Sequence, residues 1–142
     1  VEVYTIGYEG RGLEEFVGTL LENRIEIIVD IRRLPVSHKP GFSKSRLSAT
    51  LRDSGIDYVH LPTLGSPKSL RDALRATQDY DRLFSDYEAC LAEEEDCLQE
   101  LQQWGSERRI CLLCAERQHN RCHRSVVSSI LTDRAAVEVV HL

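Results

Sequence analysis

Between Cys114 and Arg124 the chain gathers two thiols, two imidazoles and three guanidiniums within eleven residues: Cys114, Cys122, His119, His123, Arg117, Arg121 and Arg124. A thiol does chemistry as its thiolate, and nearby cations or a helix N-terminus stabilise that form. Cys122 is expected in the first turn of a helix that Asn120 could cap, beside His123 and Arg124. Cys114 closes the apolar run Ile110–Ala115, where desolvation opposes charge. Either thiol can therefore be proposed as nucleophile or redox group, with His123 adjusting protonation and Glu116 as a general acid or base. Cys111, inside the strand, and Cys90 and Cys97, on a helix face, read instead as small core hydrophobes.

Other chemistries fit this spacing less well. Cys114, Cys122 and His123 could offer three zinc ligands with His119 as a fourth, but no C-x-x-C knuckle is present and adjacent Cys-His ligands suit one tetrahedral ion poorly. No metal is therefore assigned. Six residues separate Cys114 from Arg121, where a phosphatase loop has five. A rhodanese-type sulfur carrier shares the strand-Cys-loop-helix order, with nothing local to mark it.

A second chemical region runs from Arg32 to Arg46, with five basic residues and no acid. Asp30 and Arg32 stand two apart at a strand end and so share one face. They read either as a structural ion pair or as a carboxylate orienting a guanidinium toward a bound anion. His38, Lys39 and Arg46 add to the cationic character, while Lys44 is expected to be solvated. Phe42 suits either base stacking or a core plug, and His60 either the rim or a satisfied core position. Gly7-x-x-Gly10-x-Gly12 follows the first strand, but its order is wrong for a dinucleotide fingerprint. Arg11, at the entrance of the next helix, could face an anion.

The elements that must position these groups alternate. Val3–Ile6, Ile25–Ile31, Ile56–Leu61, Arg109–Ala115 and Val137–His141 read as strands, the second a continuous β-branched run typical of a strand covered on both faces. Leu13–Asn23, Ser43–Ser54, Ser69–Thr77, Asp81–Trp104 and Asn120–Asp133 read as helices, with Ser43 as a cap and Gly55 as a stop. Glu94 interrupts the apolar face of the fourth. This order predicts one α/β domain over 1–142: a three-layer, mostly parallel, doubly wound sheet of about five strands, with helices on both faces.

Composition excludes several classes. The chain has 142 residues, 42% hydrophobic and 29% charged, as in ordinary globular domains. No apolar run approaches the ~20 residues of a membrane span, and no signal-peptide pattern opens the sequence. It begins with Val and contains no Met, so the native start is expected to lie elsewhere. The five cysteines are odd in number, and without a secretion signal reduced thiols in the cytoplasm are expected. Of the net charge of −5, Asp81–Glu100 carries −7 (eight acids against Arg82), leaving +2 elsewhere.

Four ordered motifs resemble one family: Thr5-Ile-Gly-Tyr8 with Leu13-Glu-Glu-Phe16; Val29–Phe42; Tyr58-Val-His-Leu-Pro62 with Leu64-Gly65; and Leu113-Cys-Ala-Glu116 with Cys122-His-Arg-Ser125. The chain is similar, over nearly its whole length, to domain-of-unknown-function family 488. The resemblance implies a compact α/β domain of bacterial or archaeal origin. It also places Asp30, Arg32, Pro35, Ser37, Phe42, Cys114, Glu116, Cys122, His123 and Arg124 on signature positions, with Glu9 as a departure. It implies a site and no reaction. The expectation is an enzyme-like domain holding an anionic small molecule or nucleic-acid end through Arg32, Arg124, Asp30, Arg11, Ser37 and His38, with Cys114, Cys122, His123 and Glu116 for chemistry. The alternative is a non-catalytic ligand- or metal-binding module, or a thiol redox sensor. Cofactor, oligomeric state and whether the domain is an enzyme at all are left open.

Overall fold

A computed structural model describes residues 2–33, 35, 37, 39–64, 68–91, 93–114, 127, 130–132 and 138–142. Five parallel strands form one sheet: β1 (Glu2–Gly7), β2 (Ile27–Asp30), β3 (Asp57–His60), β4 (Ile110–Cys114) and β5 (Glu138–His141), in the spatial order β3-β2-β4-β1-β5. The helices are α1 (Leu13–Glu22), α2 (Lys44–Asp53), α3 (Lys68–Thr77), α4 (Tyr80–Leu91) and α5 (Glu95–Glu107). A short 3-10 turn, Pro62–Leu64, follows β3. Among the described residues no helix is long and apolar enough to cross a membrane.

Alternation along the strands divides the core in two. Tyr4, Ile6, Ile28, Cys111 and Leu113 face Phe16 and Leu20 of α1 and Leu47 and Leu51 of α2. Val3, Ile27, Val29, Ile110 and Leu112 face Tyr87 and Leu91 of α4, Leu98 and Leu101 of α5, and Val127 and Leu131. A right-handed crossover accounts for this division. The connections β1-α1-β2 and β2-α2-β3 step one way across the sheet and lie on one face. The returns from β3 to β4 and from β4 to β5 step the other way and must lie on the opposite face.

The fourth expected helix, Asp81–Trp104, is two helices. α4 ends at Leu91, the N–H groups of Glu93 and Glu94 close back on Cys90 and Leu91, and Glu94 is the N-cap of α5. The interrupting charge is therefore at a helix boundary, and each helix turns its own apolar face to the sheet. The other elements follow their patterns to within two residues, apart from the last expected helix, Asn120–Asp133, most of which lies outside the described residues. At the end of α2 the expected stop holds: Gly55 has φ +79° and its N–H bonds Arg52 O at 3.0 Å.

Leu112 is fully buried in the central strand, whereas Leu21 on α1 is 51% exposed. Leu112→Ala should lower unfolding free energy by about 2–5 kcal/mol through lost transfer energy and a residual cavity. Leu21→Ala should stay within about 0.5 kcal/mol of wild type. Urea denaturation of the two variants checks this contrast.

Candidate functional site

All five strands point the same way, so their carboxyl ends share one edge. Register places Gly7 opposite Cys114, and Asp30 opposite both Leu113 and His60. The chain leaves β1 and β2 toward the α1/α2 face, while the strand between them, β4, feeds the opposite face. Where neighbouring strands part toward different faces, a crevice opens at their carboxyl ends, and open α/β sheets bind ligands there. In this sheet Cys114 marks that point.

On the α1/α2 face the edge is built around Asp30, which is fully buried. Arg32 Nε donates to Asp30 Oδ1 at 2.9 Å and Nη2 to Oδ2 at 2.7 Å, a two-pronged pair. The Arg32 backbone N–H also donates to Oδ1, at 3.1 Å, and the Tyr58 hydroxyl donates to Oδ2. The third guanidinium nitrogen, Nη1, reaches across the loop to Phe42 O at 2.7 Å. His60 Nε2 donates to Arg32 O at 2.7 Å, so that nitrogen carries the proton. The Arg32 guanidinium also lies 5.4 Å from the Tyr8 ring centre, and Tyr8 stacks on Phe42 with 4.7 Å between centroids. Burial alone would lower the Arg32 pKa, but the hydrogen bonds and charge of Asp30 outweigh it and raise the value, so the guanidinium stays charged.

Arg32 therefore turns inward. It is 5% exposed, and each side-chain nitrogen has a protein acceptor. Arg11 is likewise engaged, with Nε on Gly7 O at 3.0 Å and Nη2 on Leu142 O at 2.8 Å. Phe42 is fully buried, edge-on to Phe16, as a core plug. Sequence reasoning passed over Tyr8 and Tyr58. Tyr58 and His60 alternate onto the face of Asp30, a signal visible only once β2 and β3 are known to pair.

Outside this buried network the loop after β2 opens a concavity of about 530 Å³, lined by Pro35, Ser37, Lys39, Pro40, Gly41, Ser43, Lys44, Ser45 and Arg46. Ser43 is the N-cap residue of α2, but its side chain does not cap the helix. Its Oγ instead accepts from Ser37 N at 3.0 Å and donates to Ser37 O at 3.2 Å, cross-tying the loop. Lys39 Nζ donates to Tyr8 O at 3.3 Å, and Tyr8 N donates to Cys114 O at 3.4 Å, so a chain of contacts joins the concavity to the end of β4. Gly41, at φ +88°, provides a backbone turn that other residues rarely adopt. Lys44 belongs to this lining and is exposed, in keeping with a solvated side chain.

Cys114 is fully buried, and alternation puts its side chain with Leu112 on the α4/α5 face, away from Asp30 and Arg32. It is disulfide-bonded, whereas Cys90 and Cys97 are free cysteines. Glu116, Cys122, His123, Arg124, His119 and His38 lie outside the described residues. Among the described residues no group of three or more His, Cys, Asp or Glu could hold a metal ion.

The chain belongs to the family described as Domain of unknown function DUF488, whose model matches residues 12–131, from the start of α1 through the segment after β4. No curated protein and no solved structure matches it.

Replacing Asp30 with Asn leaves the buried guanidinium without its countercharge, which should cost about 3–5 kcal/mol of stability in urea denaturation. Tyr58→Phe should cost about 1 kcal/mol at neutral pH. The Tyr58 pKa is raised, chiefly by burial and then by its bond to Asp30. Folding therefore favours the neutral phenol, a contribution intact below tyrosine's ordinary value of about 10 and lost as pH rises above it. Above that pH wild type should lose stability more steeply than Tyr58→Phe, with Tyr87, raised by its own burial, common to both.

Proposed function

We propose that this DUF488 member binds a phosphate-bearing ligand, a nucleotide or a nucleic-acid end, at the carboxyl edge of its sheet. The observation that carries the reading is the concavity after β2. Its lining combines Lys39, Lys44 and Arg46 with the hydroxyls of Ser37, Ser43 and Ser45, and among the described residues it contains no carboxylate. Ammonium and guanidinium groups give charge-assisted bonds to phosphate oxygens, and hydroxyls complete the shell. The start of α2 lies in the same wall, so its dipole favours an anion too. Arg32 and Asp30 act in this reading as positioning residues, holding Phe42 O and hence the loop.

Arg124 is proposed to add a further cation, because the loop after β4 must leave the sheet on this same edge. Cys122, His123 and Glu116, from that loop and the segment after it, are the groups proposed for any chemistry on the bound ligand, in a cytoplasmic setting. Without that chemistry the same cationic lining makes the domain a binding module. Lys39 couples the two possibilities, since its amine donates to Tyr8 O and the Tyr8 backbone N–H donates in turn to Cys114 O at the end of β4.

Isothermal titration calorimetry with inorganic phosphate and a nucleoside monophosphate tests the reading. Binding should weaken with added salt, and Lys44→Ala and Arg46→Ala should each reduce affinity about tenfold or more, since a hydrogen bond to a charged group contributes roughly 1.5–3 kcal/mol. Arg52→Ala, at the far end of α2, should leave affinity unchanged. Equal affinity in all three variants would remove the concavity as the site.

A further inference from the structure

We infer that the concavity after β2 selects a phosphate monoester in its dianionic form and reads nothing of the group to which the phosphate is attached. The inference rests on the phosphate reading above and narrows it to one ligand class. Lys39, Lys44 and Arg46 bring three positive charges to the lining, and among the described residues no carboxylate in the lining offsets them. The buried Asp30 carboxylate is already matched by Arg32. A phosphodiester would bring a single negative charge, whereas a terminal phosphate brings about −1.5 to −2 at neutral pH and three acceptor oxygens.

The loop that carries these cations is tied to itself at several points. Beyond the Ser43–Ser37 cross-tie, Ser37 Oγ accepts from Lys39 N at 3.1 Å. Phe42 N donates to Lys39 O at 3.3 Å and Lys44 N to Pro35 O at 2.9 Å. Like charges gathered on a braced loop are relieved most by the ligand with the larger opposing charge, so the lining discriminates dianion from monoanion.

Recognition of a base needs a flat partner, or donors and acceptors matched to its edge. The ring in this loop is Phe42, and it is fully buried. Tyr8 stacks on it, Phe16 meets it edge-on, and the Lys39 ammonium lies 5.5 Å from its centre. Tyr8 is itself buried, and the Tyr58 hydroxyl is bonded to Asp30. Among the described residues the lining therefore presents no aromatic ring and no side-chain amide. Pro35, Pro40 and Gly41 complete it, and their side chains carry no hydrogen-bonding group. A sugar or base would rest against them without being identified.

Calorimetry on the whole chain tests both halves with small ligands. A monoester gains its second charge near pH 6, so methyl phosphate should bind about tenfold or more tightly at about pH 7.5 than at about pH 5. Dimethyl phosphate keeps one charge throughout and should change less than about twofold, which controls for titration of the protein. Lys44→Ala should narrow the preference for monoester over diester. A stacked base is worth about fivefold or more in affinity, so adenosine and cytidine monophosphates and ribose 5-phosphate should agree within about threefold. A dinucleotide with a 5′-phosphate should match them, and its 5′-hydroxyl counterpart should bind about tenfold more weakly, as a diester does. Diester binding equal to monoester, a preference undiminished in Lys44→Ala, or a nucleotide favoured about tenfold over ribose 5-phosphate would overturn the inference while leaving a phosphate site in place. Failure of every compound to bind, inorganic phosphate included, would instead remove the phosphate reading and this inference with it.

Discussion

The ion pair between Asp30 and Arg32 is the interaction on which the carboxyl edge depends. Two charges removed from water cost several kcal/mol each, and attraction offsets that only where geometry is close and remaining hydrogen-bonding positions are filled. Both conditions are met. Asp30 accepts from two guanidinium nitrogens, a backbone N–H and a phenol, and the third guanidinium nitrogen binds Phe42 O. The nine residues between Arg32 and Phe42 are thereby closed into a loop, immediately before the first turn of α2. The placement of that helix against the sheet, and of the cationic groups at its start, follows from where one buried carboxylate stands.

Handedness supplies the other constraint. Right-handed crossovers send the early connections over one face and the later ones over the other. Inserting β4 between β2 and β1 then gives the central strand neighbours whose chains depart to the opposite side. The strands part at Cys114 for that reason, before any side chain is considered. The Asp30 network and the serine-rich loop both lie along that edge.

Much of this was legible in the residues, because burial imposes period. The β-branched run ending at Asp30 could only be a strand covered on both faces, and the spacing of Leu13, Phe16, Val17 and Leu20 could only pack as a helix. What escaped was whatever depends on partners distant in sequence. Tyr58 contacts Asp30 across 28 residues, and Arg11 reaches Leu142 across 131. Nothing local distinguishes these side chains from surface ones. Arg32 was read as either a structural partner or an anion ligand, and both readings predict a guanidinium beside Asp30. Only the third bond, to Phe42 O, and its burial separate them. Glu94 was the informative misfit, since a charge on an apolar face signalled a boundary within what periodicity alone joined.

The three-residue spacing of Cys111 and Cys114 on β4 has one more consequence. An odd interval along a strand sends the two sulfurs to opposite sides of a hydrogen-bonded wall, with Cys111 sealed among the α1 and α2 packing. The sheet itself is then an insulator between thiols that are near neighbours in the chain. Disulfide shuffling from one to the other would require β4 to leave both of its flanking strands. The chain can thus keep a second cysteine three positions from a disulfide-bonded one without scrambling, and parity alone suffices to do it.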